Sequence, residues 1–261
     1  MRNAALVATL VLLSGCLDYD EVISLAADGS GSVQVNATVD LSFAEKLMAL
    51  SVLPGEKALD DMDDPYKMMV SEVEIRKNVQ GGEGITLKQC LVEELDKSET
   101  KKKIKLSFDF KTLDALRKTT GFASRELSFV EKDGDIEVTY KVDARFLKDL
   151  GLIFDGARKD ETELEKKMRK VVEDATADAG ARFTVHLPAK PSATNGKRVD
   201  ADPNAVRIEL AKKDAKAHAA LAKEPLVLTA TFPGKDASAL LKKPEPKSDK
   251  PVPPPVKKDG D

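Results

Sequence analysis

The chain of 261 residues has no tryptophan, three tyrosines, two histidines and two cysteines. So few aromatic side chains argue against a stacking platform for sugars or bases. Charged residues make up 33% of the chain, but both signs are interspersed and the formal net charge is −3. Nothing there sets up a strong field to draw in nucleic acid, and no nucleic-acid partner is expected. Beyond the N-terminal segment, no apolar run approaches the roughly 20 residues that a membrane-spanning helix requires. Gly-x-Ser-x-Gly, His-Glu-x-x-His and a Gly-rich loop ending in Lys-Ser are all missing. The familiar routes to nucleophilic, zinc-dependent and phosphate chemistry are therefore closed, and no catalytic residue, metal site or cofactor is assigned.

What is present begins at residue 1. Arg2 supplies a short basic start, Ala4 to Leu13 an apolar core, and Ser14-Gly15 a small-residue exit ending at Cys16. That is the layout of an export signal. The apolar run of about ten residues is too short to cross the ~30 Å hydrocarbon core as a helix. Leu13-Ser14-Gly15-Cys16 also resembles the bacterial lipobox. Small side chains there let a peptidase approach the backbone, and a thiol is the nucleophile that can form the thioether to diacylglycerol. Cys16 is thus the expected lipidation site, with palmitate or similar acyl chains. Two or three chains at ~0.8 kcal/mol per buried CH2 anchor a protein stably, where one myristoyl chain is marginal. Leu17, rather than Asp, follows the cysteine, which leans toward the outer membrane where the host sorts lipoproteins. Once Cys16 is acylated, Cys90 has no partner in the chain, so the fold rests on its core rather than on disulfides.

Downstream, alternating apolar residues over 19 to 27 and 33 to 41 flank Asp28-Gly29-Ser30-Gly31, a β-hairpin pattern. Phe43, Leu47 and Leu50 share a helical face that ends before Pro54-Gly55. Strands are expected over 72 to 79, 85 to 95 and 104 to 110, and a short helix through Leu113 and Leu116. Two more strands, 127 to 130 and 136 to 142, flank Asp133-Gly134, the strongest short hairpin signal of the chain. Residues 33 to 43 resemble residues 136 to 146: each reads as a strand, then an Asp suited to cap a helix, then helix-like sequence. Duplication and common capping physics both produce that echo. The longest helix is expected over 159 to 180, with Leu164, Met168, Val171, Val172, Ala175 and Ala179 in its apolar stripe. Strands at 182 to 187, 206 to 210 and 226 to 232 close the pattern, with a short helix over 215 to 222. From Lys242 the chain holds six of its thirteen prolines among lysines and no apolar run. That tail cannot offset its ordering entropy; it is passive and solvated, or else a basic strip for anionic lipid, cell wall or a partner's groove.

Few residues invite chemistry. His186 lies in an alternating strand and reads as structural, and His218 is 32 residues away without companions at ligand spacing. Asp60-Asp61-Met62-Asp63-Asp64 gathers hard oxygen ligands but lacks the EF-hand spacing and glycine, so an acidic loop is the plainer reading. Ser98-Glu99-Thr100-Lys101 fits Ser-x-x-Lys in a hydrophilic setting where nothing desolvates the lysine, and is read as chance.

Cys16-Leu-Asp-Tyr-Asp-Glu with Asp28-Gly29-Ser30-Gly31 resembles the opening of the LppM-type family of bacterial lipoproteins. Leu187-Pro188, Asn195-Gly196-Lys197 and Ala205-Val206-Arg207-Ile208 are similar to the family's closing segment, although no Gly follows Pro188 and no Trp sits in the closing strand. The resemblance implies one α+β domain, with a helix across an antiparallel sheet, a cavity between them, and lipid or glycolipid binding in some members. It carries no catalytic residue.

The expected organisation is a signal peptide over 1–15, a lipidated tether over 16–20, an α+β envelope domain over 21–233 and a disordered Lys/Pro-rich tail over 234–261. The domain's sheet is largely antiparallel, built from hairpins, with amphipathic helices on one face. The expected function is a membrane-anchored, non-enzymatic module of the bacterial envelope, its body in the periplasm or outside the cell. Its partners are membrane lipid through the acylated Cys16 and a lipid-like ligand or an envelope protein, with the ligand-binding residues unassigned. The alternative is an envelope enzyme using carboxylates such as those at Asp60 to Asp64.

Overall fold

The computed structural model describes residues 16–42, 70–79, 82–95, 98–150, 161–175, 179–211, 224–235 and 237–241. Its N-terminal hairpin joins β1 (Cys16–Leu25) to β2 (Gly31–Asp40), with Gly29 at φ 85 in the turn and Asp28 accepting from the Ser30 amide at 2.9 Å. The strand β1 already runs through residues 16–20, the segment expected to act as a tether. The strands β3 (Ile85–Leu95) and β4 (Ser98–Phe110) extend the sheet beyond β2. On the other side of β1 lie β7 (Gly180–His186), β10 (Asp202–Ala211) and the short β9 (Lys197–Val199). The order in this seven-stranded sheet is β3-β4-β2-β1-β7-β10-β9, and β1–β7 is its parallel pair.

A second sheet has the order β5-β6-β11-β8, formed by β5 (Arg125–Lys132), β6 (Asp135–Val142), β11 (Leu226–Pro233) and β8 (Ala193–Thr194). Asp133 at φ 54 and Gly134 at φ 85 make the tight turn between β5 and β6. Two successive positive-φ residues match the right-handed twist of the flanking strands, which explains the strength of an Asp-Gly signal. The inner faces of the two sheets share one apolar core, in which Phe183 of β7 meets Tyr140 of β6 with ring centroids 6.3 Å apart.

Short helices fill the ends. Thr112 caps α2 (Leu113–Lys118) by accepting from the Ala115 amide at 3.1 Å. Asp143 does the same for α3 (Ala144–Asp149), accepting from the Arg145 amide at 2.7 Å, and Asp40 accepts from the Ser42 amide at 2.9 Å. The two aspartates of the strand-Asp-helix echo therefore make equivalent local bonds, which capping physics alone accounts for.

Two expectations are corrected. Residues 72 to 79, expected as a strand, form α1 (Glu72–Val79). Its β-branched residues favour a strand locally. Against that, the Ser71 hydroxyl accepts from the Glu74 amide at 3.2 Å, Glu72 and Arg76 pair at 2.6 Å one turn apart, and Val79 is buried. A capped turn with an apolar face seated on the sheet outweighs weak propensity. The long helix starts later than expected, since residues 161 and 162 precede it, and among the described residues it runs over Glu163–Ala175. In α4 (Glu163–Ala175), Thr162 and Glu165 form a reciprocal cap, the Glu165 amide donating to the Thr162 hydroxyl and the Thr162 amide to the Glu165 carboxylate. None of its described side chains is buried, and Leu164 is 42% exposed. Cover over the large sheet near its centre comes instead from α1 and the 3-10 turn Thr120–Phe122. The helical patterns expected at 43 to 53 and 215 to 222, and the tail from Lys242, lie outside the described residues.

Between β8 and β9 the chain passes from one sheet to the other. Asn195 serves as a side-chain extension of β8: its amide group donates to the Val227 carbonyl at 2.9 Å and its carbonyl accepts from the Thr229 amide at 2.7 Å. Next to it, a Cβ on Gly196 would stand 2.5 Å from Leu228 Cδ1 and 2.7 Å from the Arg207 carbonyl oxygen. Backbone on one side leaves no room to relax. Gly196→Ala is expected to lower unfolding stability by about 2 kcal/mol. Gly180→Ala, whose new Cβ meets nothing nearer than Leu210 O at 3.5 Å, should leave it unchanged or slightly raised. Urea unfolding of both variants checks the contrast.

Candidate functional site

Along β1, Tyr19, Glu21, Ile23 and Leu25 alternate into the core while their neighbours are less buried. Three of these are apolar or aromatic, and the fourth is a glutamate only 1% exposed. The same period-two rule that buries Ile23 therefore buries Glu21, and a carboxylate cannot be placed there without partners. It has three. Tyr19, two residues back on the same face, donates its hydroxyl to Glu21 Oε2 at 2.7 Å. Arg125, at the start of β5, donates from Nη2 to the same oxygen at 2.7 Å. Tyr140, on the inner face of β6, donates its hydroxyl to Oε1.

Arg125 is the opposite pole. Its side chain is 6% exposed, and Nη2 also donates to the Tyr19 hydroxyl at 2.6 Å, while Nη1 donates to the Gly121 carbonyl. The guanidinium lies 3.9 Å from the centroid of the Phe146 ring, contributed by α3, and 5.7 Å from that of Phe122. Burial by itself would lower the Arg125 pKa, but the charge of Glu21 and the two phenol oxygens outweigh it and hold the group above its ordinary value. Burial pushes the Tyr19 and Tyr140 hydroxyls well above their usual pKa, and the charge of Glu21 adds to that shift. Both phenols therefore remain neutral donors. One bond is left unmade: Arg125 Nε is buried and has no hydrogen-bond partner among the described residues.

This cluster forms one wall of a cavity of about 290 Å³. Val33, Val35, Leu106 and Phe108 of β2 and β4 make its floor, and Ile75 and Val79 of α1 border it, leaving it half open to solvent. Uncharged Asn78, Thr120 and Ser124 complete the lining. A second, larger recess of about 540 Å³ lies between the β1–β2 turn and α2. Its lining mixes Asp28 and Glu83 with Lys111 and Lys118, and Asp28 is already engaged by Ser30, which holds its carboxyl below the usual range. The smaller cavity is the better candidate, because it combines apolar walls with a buried, incompletely bonded polar group.

The residues singled out in the sequence fall elsewhere. The backbone of Cys16 opens β1, opposite Val39. His186 Nδ1 lies 2.7 Å from Asp202 Oδ2, whose other oxygen accepts from the Asn204 amide at 2.8 Å. That amide and then His186 hold the Asp202 carboxyl below its usual pKa, and the pair fastens the β10 start to β7, in keeping with a structural histidine. Cys90 is free and buried in β3, its thiol pushed up by burial. Ser98 and Lys101 both lie in β4, and Asp60 to Asp64 and His218 lie outside the described residues. Among the described residues, no cluster of three or more His, Cys, Asp or Glu could hold a metal, and no helix is long and apolar enough to cross a membrane. Glu21 and Arg125 were missed. The signal for Glu21 was its phase: it is the one charged residue in an inward series set by Tyr19, Ile23 and Leu25.

Removing one pole strands the other. Arg125→Met is expected to cost about 3–5 kcal/mol, and the double variant Glu21→Leu/Arg125→Met to recover most of that loss. Urea unfolding of the two single variants and the double variant measures it; a single-variant loss below about 1 kcal/mol would show the pair to be solvated.

No family model matches the sequence, and no curated protein matches it. Among solved structures, the chain is similar to the folded domain of the Mycobacterium tuberculosis LppM protein, determined by NMR. The two share 13% identity with a TM-score of 0.39, over 84% of this chain and 90% of that one.

Proposed function

We propose that this chain is a lipoprotein of the bacterial envelope, anchored through Cys16, whose α+β body binds an apolar, lipid-like ligand and catalyses no reaction. The observation that carries the binding reading is the cavity of about 290 Å³ with its apolar floor of Val33, Val35, Leu106 and Phe108. Its volume falls just short of the roughly 300–1,000 Å³ of small-molecule sites. The lipobox supports the anchor, and the position of β1 gives the anchor a consequence. Tyr19, in the cavity wall, stands three residues after Cys16 in the same strand. At about 3.3 Å per residue the cavity then lies within about 10 Å of the acylated residue, against the membrane surface rather than at the end of a tether.

Two experiments test this. Cys16→Ala is expected to abolish labelling by radioactive palmitate and to release the protein from the membrane fraction; equal label in both would sink the anchor. The body from residue 17 onward, purified without detergent, is expected to carry apolar ligand visible by native mass spectrometry and recovered by solvent extraction. Val35→Phe fills the cavity without burying charge, and should abolish that cargo while circular dichroism and Tm hold. Cargo unaffected by Val35→Phe would place it elsewhere. Loss of an envelope-hydrolysing activity on neutralising Asp60, Asp61, Asp63 and Asp64 would replace binding by catalysis.

A further inference from the structure

The strand β5 (Arg125–Lys132) is an edge of the four-stranded sheet. In an antiparallel ladder, residues alternate between bonding their neighbour and turning N–H and C=O away from it. The Asp143 amide donates to the Ser124 carbonyl at 3.0 Å, and that bond sets the phase. The next pair along, Arg125 with Val142, is then unbonded, as are Leu127, Phe129 and Glu131 with their β6 partners. Their main chain therefore faces the edge. Arg117 of α2 agrees with that phase, its Nη2 donating to the Leu127 carbonyl at 2.7 Å. Further along, the edge-facing groups of Phe129 and Glu131 meet no hydrogen-bond partner among the described residues. Val130, between them, is 51% exposed. Such a row of unpaired N–H and C=O groups is a template for another strand.

The residues of β5 say which strand fits. Two copies laid antiparallel about a two-fold axis at Phe129 set Phe129 opposite Phe129 and Leu127 opposite Glu131. Edge-facing main-chain groups then meet one another, and the Leu127 carbonyl keeps a second lone pair beside Arg117. On the outer face, the same register sets Glu126 opposite Lys132 and Ser128 opposite Val130, each twice. Within one chain Glu126 already pairs with Lys141 at 3.3 Å, and Lys132 with Glu137 at 2.8 Å. Signs therefore alternate across the join, from Lys141 through Glu126 to Lys132 and Glu137 of the second copy. Moving the axis one residue either way sets Glu126 opposite Val130 or Gly134 instead. Charge selects the axis at Phe129.

We infer that β5 is a self-association edge, where a second copy of this chain adds its own β5 antiparallel about Phe129 and joins the two four-stranded sheets into one.

Disulfide trapping on the full chain tests this. Ser128→Cys and a tagged Val130→Cys are made in the same cell, oxidised mildly and separated on non-reducing gels; wild type treated alike sets the background from Cys16 and Cys90. In the inferred register residues 128 and 130 face each other at about 4.5 Å between Cα atoms, within disulfide reach. Each residue and its own copy stand about 7–8 Å apart, beyond it. The two variants together are expected to give about tenfold or more covalent dimer than either alone. Adding Glu131→Pro to both removes an edge N–H that β6 does not use, and should cut the dimer about tenfold with Tm unchanged. Lys132→Glu in both should also weaken it, and Glu126→Lys alongside should restore it. No dimer from the mixture, as much from one variant alone, or a dimer indifferent to Glu131→Pro overturns the self-pairing. Val130→Cys joined to a different protein would give the edge another occupant and overturn it as well.

Discussion

A carboxylate and a guanidinium buried between two sheets hold this structure to one arrangement. Glu21 belongs to the seven-stranded sheet and Arg125 to the four-stranded one, and 2.7 Å separates their charged atoms. Apolar faces attract each other without much regard for direction. An ion pair with tyrosines on both sides does not: if the sheets slide, two buried charges lose their partners, at several kcal/mol each. Tyr19 and Tyr140, one from each sheet, share the same carboxylate, so the register of β1 against β6 is set by bonds as well as by packing. Replacing the pair by hydrocarbon could leave as much stability with less specificity of alignment, the best-attested reason for keeping such groups.

Much of the scaffold was legible because the physics that makes it is local. Asp133-Gly134 can adopt two positive φ values in succession, so a hairpin there is written in two residues. Alternation in residues 33 to 41 and 104 to 110 identifies strands whose inward residues, Val33, Val39, Ile104 and Phe108 among them, are buried. Asp143 caps a helix with its own side chain, two residues from the amide it meets. What escaped reading depends on distant chain. The helix α1 carries β-branched residues and owes its helical state to a serine cap and a seat on β3, where Arg76 donates to the Cys90 carbonyl at 3.1 Å. Val73, which suggested a strand, is 71% exposed on it. The apolar stripe expected of α4 is only half-buried at Met168, Val171 and Val172, on a helix whose charged residues pair with one another and with neighbours, as Arg169 does with Glu161.

The candidate site was the least legible part, for a reason that generalises. Charge in a sequence is read as solvent exposure, and the partner that makes Glu21 buriable is 104 residues away. Only the phase of β1 could have raised the question, and nothing local could have named Arg125 as the answer. The proposed N-terminal anchor is the opposite case, since a lipobox is a short local motif that enzymes read before a protein folds. The two features meet in β1, whose first residue is the proposed anchor and whose fourth and sixth residues line the cavity.

That meeting makes the buried pair the centre of the account. Its burial can be observed without altering the protein, by following the side-chain N–H protons of Arg125 after transfer into D2O. A guanidinium held at the sheet junction by Glu21, Tyr19 and Gly121 should keep its Nε–H and Nη protons about as long as the backbone amides of β1 and β6 keep theirs. Exchange at the rate of a solvated arginine, while those amides remain protected, would contradict it.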